Sequence, residues 1–323
     1  MTSGFAGHSE DNTSSMASTG KIIEMSETPN LLAELLPSWK LALQAEAKSP
    51  ATVDNYTTSV RVFLRWCANT NTPAELDRRT VQAFLASLLA ADQAASSVYV
   101  RQVGLKRFSK WLAAEQEIGE DRLTGLTLPK IDVKAVNPLT VDELVALFKA
   151  CHGTGFRDRR DEAMARLLAE SGLRAGELIA LHVSDVDLPH GLAHIQRGKG
   201  GRGRPVPFGP STAAAIDRYV RVRRSHKLAA TDTLWLGEHG KPLKYAGLNR
   251  ALGKRASDAG IARFHLHLLR HTAATRWLRA EGSEGGAMAV MGWRRREMLD
   301  RYVSFTASDR AIEESRRLGL GEL

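Results

Sequence analysis

Six side chains in the second half of this 323-residue sequence have the types that phosphodiester chemistry needs: Arg174, Lys199, His267, Arg270, Trp293 and Tyr302. A phenol can attack phosphorus, and two guanidinium groups can hold the non-bridging oxygens. A lysine and an imidazole can move protons, while an indole N–H adds one more oxygen contact. The set suits breaking and rejoining a phosphodiester without a metal.

Each residue sits in a local motif with an ordinary structural alternative. Ser171-Gly-Leu-Arg-Ala-Gly-Glu177 joins one predicted helix to the next. Gly172 permits the turn, Arg174 stands near the start of the following helix, and Glu177 lies one turn on, able to buttress the arginine. Taken alone, a helix-capping arginine with an i, i+3 partner is the simpler reading. Lys199 lies in Arg197-Gly-Lys-Gly-Gly-Arg-Gly-Arg204. This predicts a mobile hairpin from which a lysine could protonate a leaving 5′ oxygen, or a solvated basic loop making general phosphate contacts. The loop lacks the Gly-x4-Gly-Lys-Ser/Thr spacing of a nucleotide-phosphate cradle. His267 and Arg270 are spaced i, i+3 on one face of an apolar helix, followed by His271. His265, His267 and His271 invite a zinc reading, but no carboxylate or cysteine completes a ligand pattern. Trp293, after Met291-Gly292, and Tyr302, nine positions beyond it, read singly as core and interfacial aromatics. The weight comes from all of them occurring together, in this order.

The elements that must position these groups follow from periodicity. Residues 30–125 read as all-helical: an apolar face around Leu31, Leu32, Leu35 and Leu36, a helix opened by Ser49-Pro50, another opened by Thr80, and a fourth opened by Ser96 or Ser97. The polar side of the fourth carries Arg101, Lys106, Arg107 and Lys110, either a solvated face or a DNA-facing stripe. Residues 124–138 contain two prolines and no helical period, so 126–138 is the expected linker, and 1–29 an expected disordered tail. Thr140-Val-Asp-Glu143 is a capping box. A helix at 158–171 precedes three predicted strands, at 182–188, 192–196 and 204–208. Helices follow at about 211–227, 244–259, 268–280, 284–291, 294–302 and 308–317. The fold class is mainly α with a small antiparallel β-sheet, in two domains, 30–125 and 139–323.

Composition narrows the function classes. A 43% hydrophobic share is enough to build cores. No apolar run reaches the roughly 20 residues of a membrane span, and the N-terminus lacks a signal-peptide layout, so a cytoplasmic protein is expected. Cys67 and Cys151 have no metal-ligand spacing and read as free, buried thiols. Residues 1–130 hold 13 Lys and Arg against 14 Asp and Glu, whereas 131–323 hold 32 against 22. A positive excess confined to one half ranks nucleic acid above small acidic substrates.

The motifs resemble those of the tyrosine recombinase family, the phage-integrase and Xer-type site-specific recombinases. The resemblance covers about 138–317 and rests on Gly-Leu-Arg174-Ala-Gly-Glu-Leu, the hairpin Lys199, His267-x-x-Arg270-His271, Met-Gly-Trp293 and Tyr302. On weaker grounds of helix count and position, 30–125 is similar to the family's core-binding domain. The resemblance implies a two-domain clamp around double-stranded DNA carrying a specific core site. It implies Arg174 and Arg270 as phosphate clamps, Lys199 as general acid, His267 as acid/base partner and Tyr302 as nucleophile forming a 3′-phosphotyrosyl bond, with Glu177 and His271 supporting. It further implies that neither ATP nor any other cofactor is needed, that four protomers act on two duplexes, and that accessory DNA-bending proteins are candidate partners. Arg101, Lys106, Arg107, Lys110, Arg202 and Arg204 are the candidate DNA contacts. Most members have His where this chain has Trp293, although some carry Trp. Indole donates but cannot accept a proton, so acid/base work falls to His267 and Lys199. The tail is too short to fold as a separate arm-binding domain, which favours a simple recombinase. A type IB topoisomerase and a catalytically silent DNA-binding regulator are the competing expectations.

Overall fold

The computed structural model describes residues 29–127, 136–196, 203–238 and 240–319. The expected tail up to residue 28, most of the expected linker, Lys199 and Arg202 lie outside them. The chain divides into two compact units, Met1–Val133 and Lys134–Leu323.

The first unit is helical: α1 (Pro29–Glu34), α2 (Leu36–Ala45), α3 (Pro50–Asn69), α4 (Arg78–Ala90) and α5 (Ala95–Ala114). Ser49 caps α3, its Oγ accepting the Thr52 N–H at 3.2 Å, with Pro50 in the first turn. The start of α4 differs from the expectation at Thr80. Asp77 caps it instead, Oδ1 accepting the Thr80 N–H at 3.0 Å, while the Thr80 hydroxyl donates to Oδ2 at 2.7 Å. Trp39, Phe63, Phe84, Leu105 and Phe108 fill the core. Helices α3 and α5 meet where α5 has no side chain: a Cβ on Gly104 would lie 2.5 Å from Ser59 Cβ. The stretch assigned to the linker begins inside this unit. Leu126 is buried, Lys106 Nζ donates to its carbonyl at 2.7 Å, and Gln102 Nε2 donates to the Thr127 carbonyl at 2.7 Å.

The second unit opens with α6 (Val141–Ala150), and the capping box is formed: Thr140 Oγ1 accepts from the Glu143 N–H at 3.1 Å and Glu143 Oε2 from the Thr140 N–H at 2.8 Å. Then come α7 (Phe156–Ser171), α8 (Ala175–Ile179), β1 (Val186–Asp187), β2 (Leu192–Ile195), β3 (Arg204–Pro207), α9 (Pro210–Arg223), α10 (Tyr245–Asp258), α11 (Leu266–Arg279), α12 (Glu284–Met291) and α13 (Glu297–Leu318). The strands form an antiparallel sheet in the order β1-β2-β3, with Ile195 opposite Arg204 and Ala193 opposite Val206.

Two expectations are corrected here. The strand expected over 182–188 is only Val186–Asp187, because the His182 N–H bonds Asp185 Oδ2 at 2.8 Å and winds residues 183–185 into a 3-10 turn. The two helices expected at 294–302 and 308–317 are one, α13. No Gly or Pro interrupts 303–307, and the Thr306 hydroxyl bonds back to the Tyr302 carbonyl at 2.9 Å, so it does not break the helix. Helix α7 is buried along most of its length, with Ala163, Met164, Leu167 and Leu168 in the main core. Among the described residues no helix is long and apolar enough to cross a membrane.

Candidate active site

The site begins where α7 stops. Gly172 closes α7 with φ of +62°, a conformation costly for any residue with a Cβ, and a Cβ there would lie 2.3 Å from Met291 Sδ. The end of α7 is thus pressed against the end of α12, and Arg174 emerges beside it as the N-cap of α8. Its backbone N–H donates to Glu177 Oε2 at 3.0 Å, its Nη1 to Glu177 Oε1 at 2.9 Å, and its Nη2 to the Gly292 carbonyl at 3.4 Å. Glu177 is the buttress the spacing suggested. Burial alone would raise its carboxyl, but the Arg204 hydrogen bonds, the Arg174 N–H and both positive charges outweigh burial and hold it below the usual carboxylate range.

Arg270, on α11, is only 2% exposed. It donates through Nη1 to the Gly172 carbonyl at 2.6 Å and through Nη2 to the Met291 carbonyl at 2.7 Å. Its guanidinium carbon lies 5.5 Å from the centre of the Trp293 ring. Burial, and then the charge of Arg174, pull it down to about 10, so it remains cationic at neutral pH. The two arginines therefore grip adjacent carbonyls, those of Met291 and Gly292, rather than separate pockets.

Three aromatic contacts continue the cluster. Trp293 stacks on Tyr302 with centroids 4.9 Å apart and planes 21° apart. Tyr302 meets His271 at 5.2 Å, and His271 meets His267 edge-on at 4.7 Å. Burial lowers both imidazoles, His271 to about 4, and the charges around them add to the effect. For His267 these are Arg270, His265 and Arg174; for His271 they are His267, His265, Arg270 and Arg301. Both rings are neutral at pH 7 and able to accept a proton. Burial raises the Tyr302 phenol, with Arg270 and Arg301 opposing, so it carries its proton at neutral pH. Tyr302 and Trp293 are buried, and the Trp293 Nε1–H finds no acceptor among the described residues.

Five of the six residues singled out from the sequence therefore share one cluster. The sixth, Lys199, lies outside the described residues, as does Arg202. The expected DNA contacts divide. Arg107 and Lys110 are exposed on α5 and Arg101 is half-buried, while Lys106 is turned onto the Leu126 carbonyl. Arg204 turns inward: Nη1 and Nη2 take Glu177 Oε1 and Oε2 at 3.0 and 2.9 Å, and Nε takes the Val290 carbonyl at 2.8 Å. Sequence reasoning placed Arg204 among the candidate DNA contacts. The available signal was its period-two partnership with buried Val206, which puts it on the inward face of β3. Among the described residues no three His, Cys, Asp or Glu side chains are grouped to hold a metal.

The sequence profile of the phage integrase family matches residues 137–308, and that of the phage integrase N-terminal SAM-like domain matches residues 35–118. Tyrosine recombinase XerC of Roseiflexus sp. (strain RS-1) is 31% identical over 219 residues, spanning 66% of this chain and 69% of that protein. Tyrosine recombinase XerD of Staphylococcus aureus (strain N315) is 31% identical over 206 residues, 63% of this chain and 70% of that protein. In fold, the chain is similar to XerH site-specific recombinase bound to palindromic difH substrate (TM-score 0.69, 17% identity, 89% of this chain and 84% of that one). It is also similar to a lambda integrase (75-356) dimer bound to a COC' core site (TM-score 0.66, 17% identity, 84% of this chain and 94% of that one).

Proposed function

Since this chain belongs to the phage integrase family and is a tyrosine recombinase, we propose that it cuts and rejoins DNA at specific sites through a 3′-phosphotyrosyl bond to Tyr302. The observation that carries the residue assignment is the gathering of Arg174, Arg270, Trp293 and Tyr302 around the Met291-Gly292 turn.

In the forward step the Tyr302 oxygen attacks the scissile phosphorus, its proton passes to a neutral imidazole, and the bond from phosphorus to the 5′ oxygen breaks. His267 is assigned as that acceptor, with His271, in contact with both His267 and the Tyr302 ring, as its support. Lys199 gives the departing 5′ oxygen its proton. A 5′ hydroxyl of a partner strand then attacks the phosphotyrosine and restores the phenol. One ester replaces another at each step, so neither ATP nor water enters. The equatorial oxygens gain charge in the transition state, and Arg174, Arg270 and the Trp293 N–H, which has no acceptor among the described residues, supply donors there. Tyr302 is only 6% exposed, so attack requires it to leave its stack on Trp293.

The proposal extends to a tetramer on two duplexes, to 30–125 as the core-DNA-binding domain, to Arg101, Arg107 and Lys110 as phosphate contacts, and to action in the cytoplasm. A type IB topoisomerase is the less favoured reading, since the matched relatives are recombinases. The test is covalent capture: the protein is denatured in contact with fragmented source DNA, and attached fragments are sequenced. Wild-type protein is expected to retain a defined site, and Tyr302→Phe to retain none. An adduct formed by Tyr302→Phe would remove the nucleophile assignment.

A further inference from the structure

Arg174 and Arg204 both bond Glu177, but they do so differently. Arg204 spends its fork on the carboxylate, one nitrogen to each oxygen, and its third donor on the Val290 carbonyl, with a side chain 13% exposed. The Arg174 side chain offers Glu177 only Nη1, to one of those oxygens, the other being met by its backbone N–H, and it stays 37% exposed. A carboxylate with a single cationic partner would neutralise that partner and draw its fork inward. Here three guanidinium groups, Arg174, Arg204 and Arg270, are gathered around one carboxylate, Glu177, and the charge left over belongs to the two that face the cluster.

Arg204 also reaches the turn that presents Trp293. Three consecutive carbonyls at the end of α12 each accept from a different arginine: Val290 from Arg204, Met291 from Arg270 and Gly292 from Arg174. Helix C-termini leave such carbonyls without partners in the helix itself. Gly292 has φ of +64°, and a Cβ on it would lie 2.8 Å from Arg204 Cζ. The guanidinium thus packs directly on the backbone one residue before Trp293.

We propose that Arg204 is a positioning residue: by covering the Glu177 carboxylate and clamping the Val290 carbonyl, it leaves the Arg174 charge and its remaining N–H donors available to the scissile phosphate and fixes the turn carrying Trp293. The inference rests on the reading of Tyr302 as nucleophile given above. It also replaces the sequence-based expectation that Arg204 contacts DNA.

The test uses the full chain and a nicked duplex carrying the site recovered by covalent capture, from which the cleaved strand cannot be rejoined. In Arg204→Gln the single-turnover rate of adduct formation at saturating DNA is expected to fall about 10²-fold, the scale of an ångström-sized misplacement. The dissociation constant for DNA and its salt dependence are expected to stay unchanged. Arg204→Lys, which keeps the charge but not the fork, is expected to be intermediate, and serves as the deciding variant if Arg204→Gln does not fold. In Arg204→Gln/Glu177→Gln the lone carboxylate is gone, so part of the rate is expected to return relative to Arg204→Gln; a purely structural role would make the two losses add. The inference is overturned by wild-type cleavage in both single variants, by additive losses, or by weaker binding with a salt slope smaller by about one and an unchanged saturated rate, the mark of a phosphate contact. If wild-type protein itself forms no adduct, the nucleophile reading fails; if it does and both single variants match it, only this inference fails.

Discussion

The helical core of the first unit and the arginine cluster of the second are held together by opposite means. In the first, Trp39, Phe63, Phe84 and Phe108 fill space between helices that approach closely enough at Gly104 to exclude a methyl group. Stability there comes from apolar area removed from water and from shape. In the second, Arg270 is buried like a core residue, yet its bonds run to backbone carbonyls at Gly172 and Met291, and its neighbours Arg174 and Arg204 repeat the pattern at Gly292 and Val290. A packed core tolerates little change in volume; an arginine-carbonyl network tolerates little change in donors. The lesson is that the residues proposed to bind phosphate also hold the loops that form their own site, so chemistry and stability are coupled in one region and separable in the other.

Tyr302→Phe breaks the comparison most sharply, because it removes an oxygen and leaves the ring contacts with Trp293 and His271. Adduct formation is expected to vanish while urea stability stays within about 0.5 kcal/mol of wild type. A large loss of stability would mean that the hydroxyl has a structural bond as well. Arg270→Met should do the reverse and injure both properties. It keeps an unbranched apolar stem but strands the Gly172 and Met291 carbonyls. Stability is expected to fall by about 2–4 kcal/mol, from two buried acceptors left unpaired, together with loss of cleavage measured under conditions where the variant is folded. A variant that lost cleavage alone would show that the carbonyls had found other donors.

How much of this was legible beforehand depended on how local the cause was. Ser49-Pro50 and Thr140–Glu143 could be read directly because a cap needs only neighbouring residues. Helix α12 has the bounds its periodicity gave, ending at the Gly292 turn. The gap expected at 303–307 is helical, because no Gly or Pro interrupts it. The Thr306 hydroxyl makes its backbone bond inside the helix. The site divides in the same way. The types and order of Arg174, His267, Arg270, Trp293 and Tyr302 marked them as a set. The carbonyls of Gly172, Val290, Met291 and Gly292 that join them could not be seen, since a carbonyl carries no side-chain identity. Arg204 was misplaced because one inward-facing cation next to a glycine-rich basic turn looks like its surface neighbours.

Gly104→Val tests the other half of the comparison. The added carbons must displace Ser59 or separate α3 from α5, and overpacking of this kind costs about 1–3 kcal/mol. The loss should appear in the urea midpoint, with the rate of adduct formation at saturating DNA unchanged in the folded fraction. An equal loss of rate would contradict the separation of packing from chemistry in that region.

The smallest effect expected is the pH dependence conferred by His271. Its imidazole titrates near 6.5 in an unfolded chain and is held down to about 4 in the fold, first by burial and then by the positive charges around it. Between those values the unfolded chain binds the proton and the folded one does not, so this contribution to stability is complete above about pH 6.5 and is lost as pH falls toward 4, with no further loss below. His267 is lowered for the same reasons and acts in the same direction. Because the ring is partly open to solvent and coupled to His267, the His271 share is discounted to about 1–2 kcal/mol. His271→Phe keeps a ring beside Tyr302 and removes the titration. Its stability, followed by urea unfolding from pH 7 to pH 4, should therefore decline less steeply than that of wild type. Parallel curves would show that His271 takes up its proton in the folded state as readily as in the unfolded chain, and that the cations around it do not govern its charge.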